Sequence, residues 1–138
     1  MTTLKPRLAQ RLAKHPQKCG DNWRHDLLSD DDAEIVAQTA KVIGDVYYQP
    51  ASSKLIPLLK NENARVRFYA AQALGRLKYT PAVDPLIQMI RLNNDEDLYI
   101  RHAGVLALSR IGLADPIIAL SSDENKAVKT AAVLVLRR

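Results

Sequence analysis

Residues 66–75 read VRFYAAQALG, and a related sequence, IVAQTAKVIG, stands 31 residues upstream at residues 35–44. The stretch before it repeats at the same distance, since PASSKLIPLLK at residues 50–60 corresponds to PAVDPLIQMIR at residues 81–91. A fixed period of this length is typical of a solenoid, in which each unit contacts only its neighbours. The sequence therefore predicts a stack of repeated units.

The repeat survives one insertion and one deletion. Residues 100–108 match residues 66–74 at a distance of 34, and the extra residues fall in the polar stretch 92–97. Three residues are then missing near Gly112, so that the original period is restored by Val128. Connections between helices tolerate such changes, so these two sites are expected to be loops.

Each unit is predicted to contain two helices. The apolar residues of the second helix recur with helical spacing at Val66, Ala70, Ala73, Leu74 and Leu77. Leu74 is expected to be buried between units, as are Ile43 and Leu108 at the same position in their repeats. Pro85 and Pro116 fit the first turn of the shorter first helix, whereas Pro57 lies deeper and is expected to bend it.

The predicted fold is an all-α, right-handed α-solenoid of about four helix pairs with an additional N-terminal helix. One domain is expected over residues 1–138, with a basic helix and linker in residues 1–20 and repeats in residues 21–47, 48–78, 79–112 and 113–138. Residues 4–14 match the second helix of a further unit whose first helix is absent, and residues 131–136 are almost wholly apolar, so we expect a segment of a larger protein. The alternative is a capping first helix and a fraying last one. No run of about 18 apolar residues occurs, so no membrane span is predicted.

The net charge of +5 is concentrated at one end of the chain. Residues 1–20 hold five basic residues and no acid, and the rest of the chain holds fifteen of each. Four of these basic residues form one stripe of a predicted helix: Arg7, Arg11, Lys14 and Lys18. Such a helix can bind phosphate backbones or anionic lipids. The alternative, which we favour, is a solvated outer face.

The repeated residues resemble a known family. The pattern VRxxAAxALGxL at residues 66–77, after LLKN at residues 58–61, resembles the bacterial HEAT-like repeat of the phycobilisome-lyase type. Residues 63–77 and 97–108 further resemble the HEAT region of large bacterial membrane-bound dehydrogenase-like proteins. In that family the solenoid links a propeller-type sugar-dehydrogenase domain to a c-type cytochrome domain, which implies a linking role in the periplasm. This chain has no Cys-x-x-Cys-His motif, so no haem or other cofactor is expected on it.

Apparent metal-binding clusters have a structural explanation. The acidic runs at residues 30–32 and 95–97 lie just before second helices. Residues 61–63 and 123–125 occupy the same repeat position in the other two units. Acidic and amide side chains there cap a helix and complement its dipole. They can also meet basic residues near the helix start: Arg67, Arg101 and Lys129. His15, Cys19 and His25 are close in sequence, but Pro16 and Gly20 interrupt any helix that would align them, so no zinc site is predicted.

The candidate functional residues lie on the second helices, at positions that the core does not require. They are Arg65, Phe68, Tyr69, Gln72 and Arg76 in one unit, and Tyr99, His102, Leu106 and Arg110 in the next. Aromatic residues and arginine are common where proteins bind each other. Phe68 and Tyr69 could instead pack between units, and His102 is a packing or surface residue rather than a base.

A non-catalytic protein-interaction or scaffold module is the predicted function, with a protein partner or a flanking domain of the parent chain as its ligand. Two alternatives remain open. One is binding of nucleic acid or an anionic surface through the N-terminal helix, which we regard as less favoured because the remaining charge is mixed. The other is a lyase-type enzyme subunit, although the sequence contains no nucleophile elbow, phosphate loop or paired-carboxylate motif.

Overall fold

The computed structural model describes residues 26–138, and these residues contain helices and turns but no strand. Seven α-helices follow one another: α1 (Ala33–Asp45), α2 (Ser52–Leu55), α3 (Ala64–Arg76), α4 (Val83–Asn93), α5 (Leu98–Ile111), α6 (Ala114–Ala119) and α7 (Lys126–Leu136). Short 3₁₀ segments stand between some of them: Gln49–Ala51, Pro57–Lys60, Thr80–Ala82 and Leu120–Ser122. The predicted all-α solenoid is confirmed.

Neighbouring helices pack in series. The second helices α1, α3, α5 and α7 contact one another in chain order, and the first helices α2, α4 and α6 each lie beside the second helix of their own pair. Helix α7 packs against α5 less extensively than α5 packs against α3. No helix within residues 26–138 has the length and apolar character needed to cross a membrane.

Each second helix begins at a polar cap in the same position of the repeat. The side chains of Asp32, Asn63, Asp97 and Asn125 accept hydrogen bonds from backbone N–H groups in the first turns of α1, α3, α5 and α7. These bonds satisfy donors that have no partner within the helix. The prediction that these polar runs cap helices is therefore confirmed.

The prolines shape the first helices as predicted. Helix α2 ends at Leu55, and Pro57 opens a 3₁₀ segment in its place. Pro85 and Pro116 are each the third residue of their helices, where the missing N–H removes no hydrogen bond. The first helix is thus broken in one unit and continuous over Val83–Asn93 in the next.

The core is formed by equivalent positions in successive units. Ile43, Leu74 and Leu108 are at most 2% exposed, which confirms the predicted register. Leu136 occupies the same position in the last unit but is 48% exposed. Val133 is likewise 61% exposed, although its counterpart Val105 is buried. The last unit therefore has an uncovered apolar side.

Two glycines let the second helices approach closely. A Cβ built on Gly44 would lie 2.8 Å from the Cα of Ala73, and one on Gly75 would lie 2.6 Å from the Cα of Ala107. Both distances are far below van der Waals contact, so only glycine allows these crossings. At the equivalent positions between α5 and α7 the chain has Ser109 and Val135.

Candidate functional site

The predicted binding residues lie on two adjacent second helices. Helix α3 carries Arg65, Phe68, Tyr69, Gln72 and Arg76, and helix α5 carries Tyr99, His102, Leu106 and Arg110. We call the surface that carries these residues the second-helix face. The half on α3 and the half on α5 differ in how many of their side chains are packed against, or paired with, the rest of the protein.

On α3, the aromatic part of the second-helix face is half-buried. The Phe68 and Tyr69 rings lie 5.3 Å apart, edge to face, and both pack against the hydrophobic core. The guanidinium of Arg65 lies over the Tyr69 ring, 5.6 Å from its centroid, in a cation–π arrangement. The possibility that these two aromatic residues serve packing is therefore supported.

The arginines of α3 are tied to the preceding unit. Arg65 Nε lies 3.1 Å from a carboxylate oxygen of Glu34, and Arg76 forms an ion pair with Asp45. Partial burial works against the charged form of Asp45, but the Lys41 ammonium and the Arg76 guanidinium outweigh it and lower the pKa of that carboxyl. Each arginine stands one period of 31 residues after its acid, a spacing that could have revealed both pairs.

On α5, the second-helix face is more open. Tyr99 is 76% exposed and His102 is also exposed, whereas Leu106 and Arg110 are half-buried. The Nη1 atom of Arg110 is buried and has no hydrogen-bond partner among residues 26–138. Tyr99 stands at the repeat position that Glu34 occupies in the first unit and Arg65 in the second. Because Tyr99 is uncharged, the ion pair between Glu34 and Arg65 has no counterpart on α5.

A cleft of about 490 Å³ lies beside this open half, between α5 and α7. Its apolar lining is Leu98, Val105 and Leu134, and its polar lining is Arg101, His102, Arg137 and Arg138. Sequence reasoning identified His102 but missed the cleft. Ser109 and Val135, in place of the glycine and alanine of the earlier units, mark the contact of α5 with α7 as different in the sequence, but neither residue lines the cleft.

The exposed side chains of this surface are hydrogen-bond donors and an aromatic ring. Arginine and histidine donate hydrogen bonds, and tyrosine offers an amphipathic ring. Within the part of the chain that the structure describes, no three histidine, cysteine, aspartate or glutamate side chains come together as a metal site would need. His15, Cys19 and His25 lie outside the described residues, as do the basic residues Arg7, Arg11, Lys14 and Lys18.

Serially stacked helix pairs, each capped in the same way and each burying the same positions, define an α-solenoid of helical repeats. The family model for HEAT repeats matches residues 22–109 and, in a second overlapping match, residues 52–137. The chain therefore belongs to the HEAT-repeat family. No curated protein of similar sequence matches it. HEAT repeats are generally protein-interaction or scaffold modules, and the family is typically non-catalytic.

Proposed function

We propose that this chain is a non-catalytic interaction module that binds a protein partner, or a flanking domain of its parent chain, through the second-helix face. The observation that carries the proposal is Tyr99. A tyrosine that is 76% exposed contributes little to the core, yet it is a residue type common at binding hot spots. His102, one turn further along the same helix, adds a hydrogen-bond donor beside it, and Arg110 adds another near the opposite end of the helix.

The α5 half of the face supports this role better than the α3 half. On α3, Arg65 and Arg76 already form ion pairs, and a partner would have to displace Glu34 or Asp45 to bind them. On α5, neither Tyr99 nor His102 has an ion pair or ring contact within residues 26–138. Contact with α5 therefore requires less rearrangement of the protein.

Two finer hypotheses stay predictions. The resemblance to membrane-bound dehydrogenase-like proteins implies that the module links redox domains of a bacterial protein. The basic N-terminal helix offers instead a route to nucleic acid or anionic lipid. The linking role would use the same second-helix face, with a flanking domain as its ligand. Only the second hypothesis requires different residues, those of the N-terminal helix, so one experiment separates it from the proposal.

Site-specific photo-crosslinking in the native host tests the proposal. A benzophenone amino acid at position 99 should give a discrete crosslinked protein, whereas the same group at position 54, on the exposed surface of first helix α2, should not. Neutralising Arg7, Arg11 and Lys14 should leave the crosslink intact. Loss of the crosslink in that variant, or equal labelling from both positions, would show that the second-helix face is the wrong surface.

A further inference from the structure

The cleft lies between two helices, α5 and α7, that lack the glycine–alanine pair of the earlier units. Gly44 and Gly75 let the next helix approach until backbone meets backbone. Ser109 and Val135 stand at the positions of that glycine and its alanine partner, and α7 packs against α5 less extensively than α5 packs against α3. The cleft between α5 and α7 measures about 490 Å³, which is in the size range of sites that bind ligands.

The lining of this cleft combines an apolar surface with positive charge. Leu98, Val105 and Leu134 supply the apolar part, and Leu98 is 59% exposed. Arg137 and Arg138 are exposed, and neither forms an ion pair within residues 26–138. No aspartate or glutamate side chain is among the lining residues, and Asp95, the partner of Arg101 at 3.4 Å, stands outside the cleft.

The positive charge also continues a series along the stack. Asp45, Arg76, Arg110 and Arg138 occupy the same position in four successive units. Asp45 and Arg76 neutralise each other, which leaves Arg110 and Arg138 without an acid at that position. The guanidinium groups of Arg110 and Arg138 are therefore not neutralised by an acid at this repeat position.

We propose that the cleft between α5 and α7 binds an acidic peptide segment of a protein partner, with an apolar side chain of the segment against Leu98 and Leu134. This inference rests on the proposed function and adds the chemistry of the partner. Carboxylates of the segment accept hydrogen bonds from Arg137 and Arg138, and arginine–carboxylate bonds are among the strongest that side chains form. The apolar anchor removes the exposed Leu98 surface from water.

Nucleic acid fits this surface less well. A duplex or single strand needs a continuous basic track along its phosphates. Toward α1, however, the second-helix face carries Glu34 and Asp45, and both are occupied in neutralising arginines. The positive region is short and includes apolar residues, which suits a peptide of a few residues.

Selection from a phage-displayed library of random peptides of about a dozen residues tests the proposal. The enriched peptides should combine aspartate or glutamate with leucine or an aromatic residue. The affinity of one such peptide should then fall on the order of tenfold for the variant Arg137→Glu, Arg138→Glu, since it loses charge-assisted bonds. The control Lys54→Glu, Lys60→Glu reverses the same charge on exposed first-helix residues and should bind as the unchanged protein does.

Leu98→Asp provides a second variant, since Leu98 is exposed and opens α5, where an acid is compatible with the helix. It should weaken peptide binding while leaving the helical circular dichroism unchanged.

Enrichment of basic or neutral peptides, no enrichment, or equal binding by the Arg137→Glu, Arg138→Glu variant overturns the proposal. If duplex DNA at about 0.15 M salt displaces the peptide as well as free peptide does, the proposal is overturned in favour of a nucleic-acid ligand. If a partner is crosslinked at position 99 but no acidic peptide is selected, the acidic ligand of the cleft is refuted. The proposed interaction function would still stand.

Discussion

The contact between α1 and α3 and the contact between α5 and α7 join equivalent helices in different ways. In the first, Gly44 lies against Ala73, and two ion pairs, Glu34 with Arg65 and Asp45 with Arg76, join the helices. In the second, Ser109 stands in place of the glycine, and a cleft lies between the helices. Side chains of the second-helix face therefore hold α1 and α3 together through ion pairs, whereas the face is open between α5 and α7.

The two contacts also differ in what holds them. Between the third and fourth units the strongest polar link lies away from the crossing, where Arg91 makes two hydrogen bonds of 2.9 and 2.7 Å to the Asp123 carboxylate. This link joins the end of α4 to the loop before α7. The fourth unit is therefore anchored at the start of its second helix, while the end of that helix borders the cleft.

The largest difference between the two regions should appear at the repeated leucine. Leu74→Ala should lower the free energy of unfolding by roughly 2–5 kcal/mol, because Leu74 is fully buried and its removal leaves a cavity. Leu136→Ala removes the same atoms from a half-exposed position, so its effect should stay below about 1 kcal/mol. Urea denaturation of both variants measures the contrast, and equal losses would mean that the last unit is as well packed as the second.

The close crossing should be the next most sensitive feature. Gly75→Ala places a Cβ 2.6 Å from the Cα of Ala107, so α3 and α5 must move apart at a loss of roughly 1–3 kcal/mol, part of which the helix preference of alanine offsets. Ser109→Ala, the matched change at the third unit, should alter stability by less than about 0.5 kcal/mol. A neutral or stabilising Gly75→Ala would show that the helices separate freely.

The link from Arg91 to Asp123 should make the fourth unit sensitive to acid. The Arg91 hydrogen bonds and the backbone N–H of Asn125 lower the pKa of the Asp123 carboxyl to about 2, compared with about 3.9 in an unfolded chain. The stabilisation is therefore complete above about pH 5 and is lost progressively as the pH falls through the unfolded value and then toward about 2. Thermal melts of the protein and of Asp123→Asn should differ at neutral pH and converge on acidification; a constant difference would contradict the role of this charge.

The smallest effect is expected for the arginines of the second-helix face. The double change Arg76→Ala, Arg110→Ala should leave the melting temperature nearly unchanged, because a partly exposed ion pair such as that of Arg76 with Asp45 contributes about 0–1 kcal/mol. The same variant should weaken binding of the partner that is crosslinked at position 99. A large fall in melting temperature would instead assign the two arginines to the fold.

The fold was predictable because each unit repeats the same information. Leu74 alone could belong to many helical proteins, but Ile43 and Leu108 at its repeat positions fix which side of each helix meets its neighbours. The caps at Asp32 and Asp97 were predictable for the same reason, since one local hydrogen-bond pattern explains both.

The surface was less predictable because it depends on contacts between units. Exposure of Tyr99 followed from its helical position, whereas the engagement of Arg65 depends on Glu34 being at the same position one unit earlier. The cleft lies between two helices whose residues at the repeated crossing are Ser109 and Val135, and neither residue is unusual in a helix. Only comparison of all the units at one position reveals such a feature.

The exposed Val133 and Leu136 have a consequence for the motions of the protein. Helix α7 is covered on one side only, so it should open locally before the helices that lie between two neighbours. A ligand that bridges α5 and α7 would hold this least protected segment closed. Its binding should therefore slow amide hydrogen exchange throughout Lys126–Leu136, well beyond the atoms that it contacts.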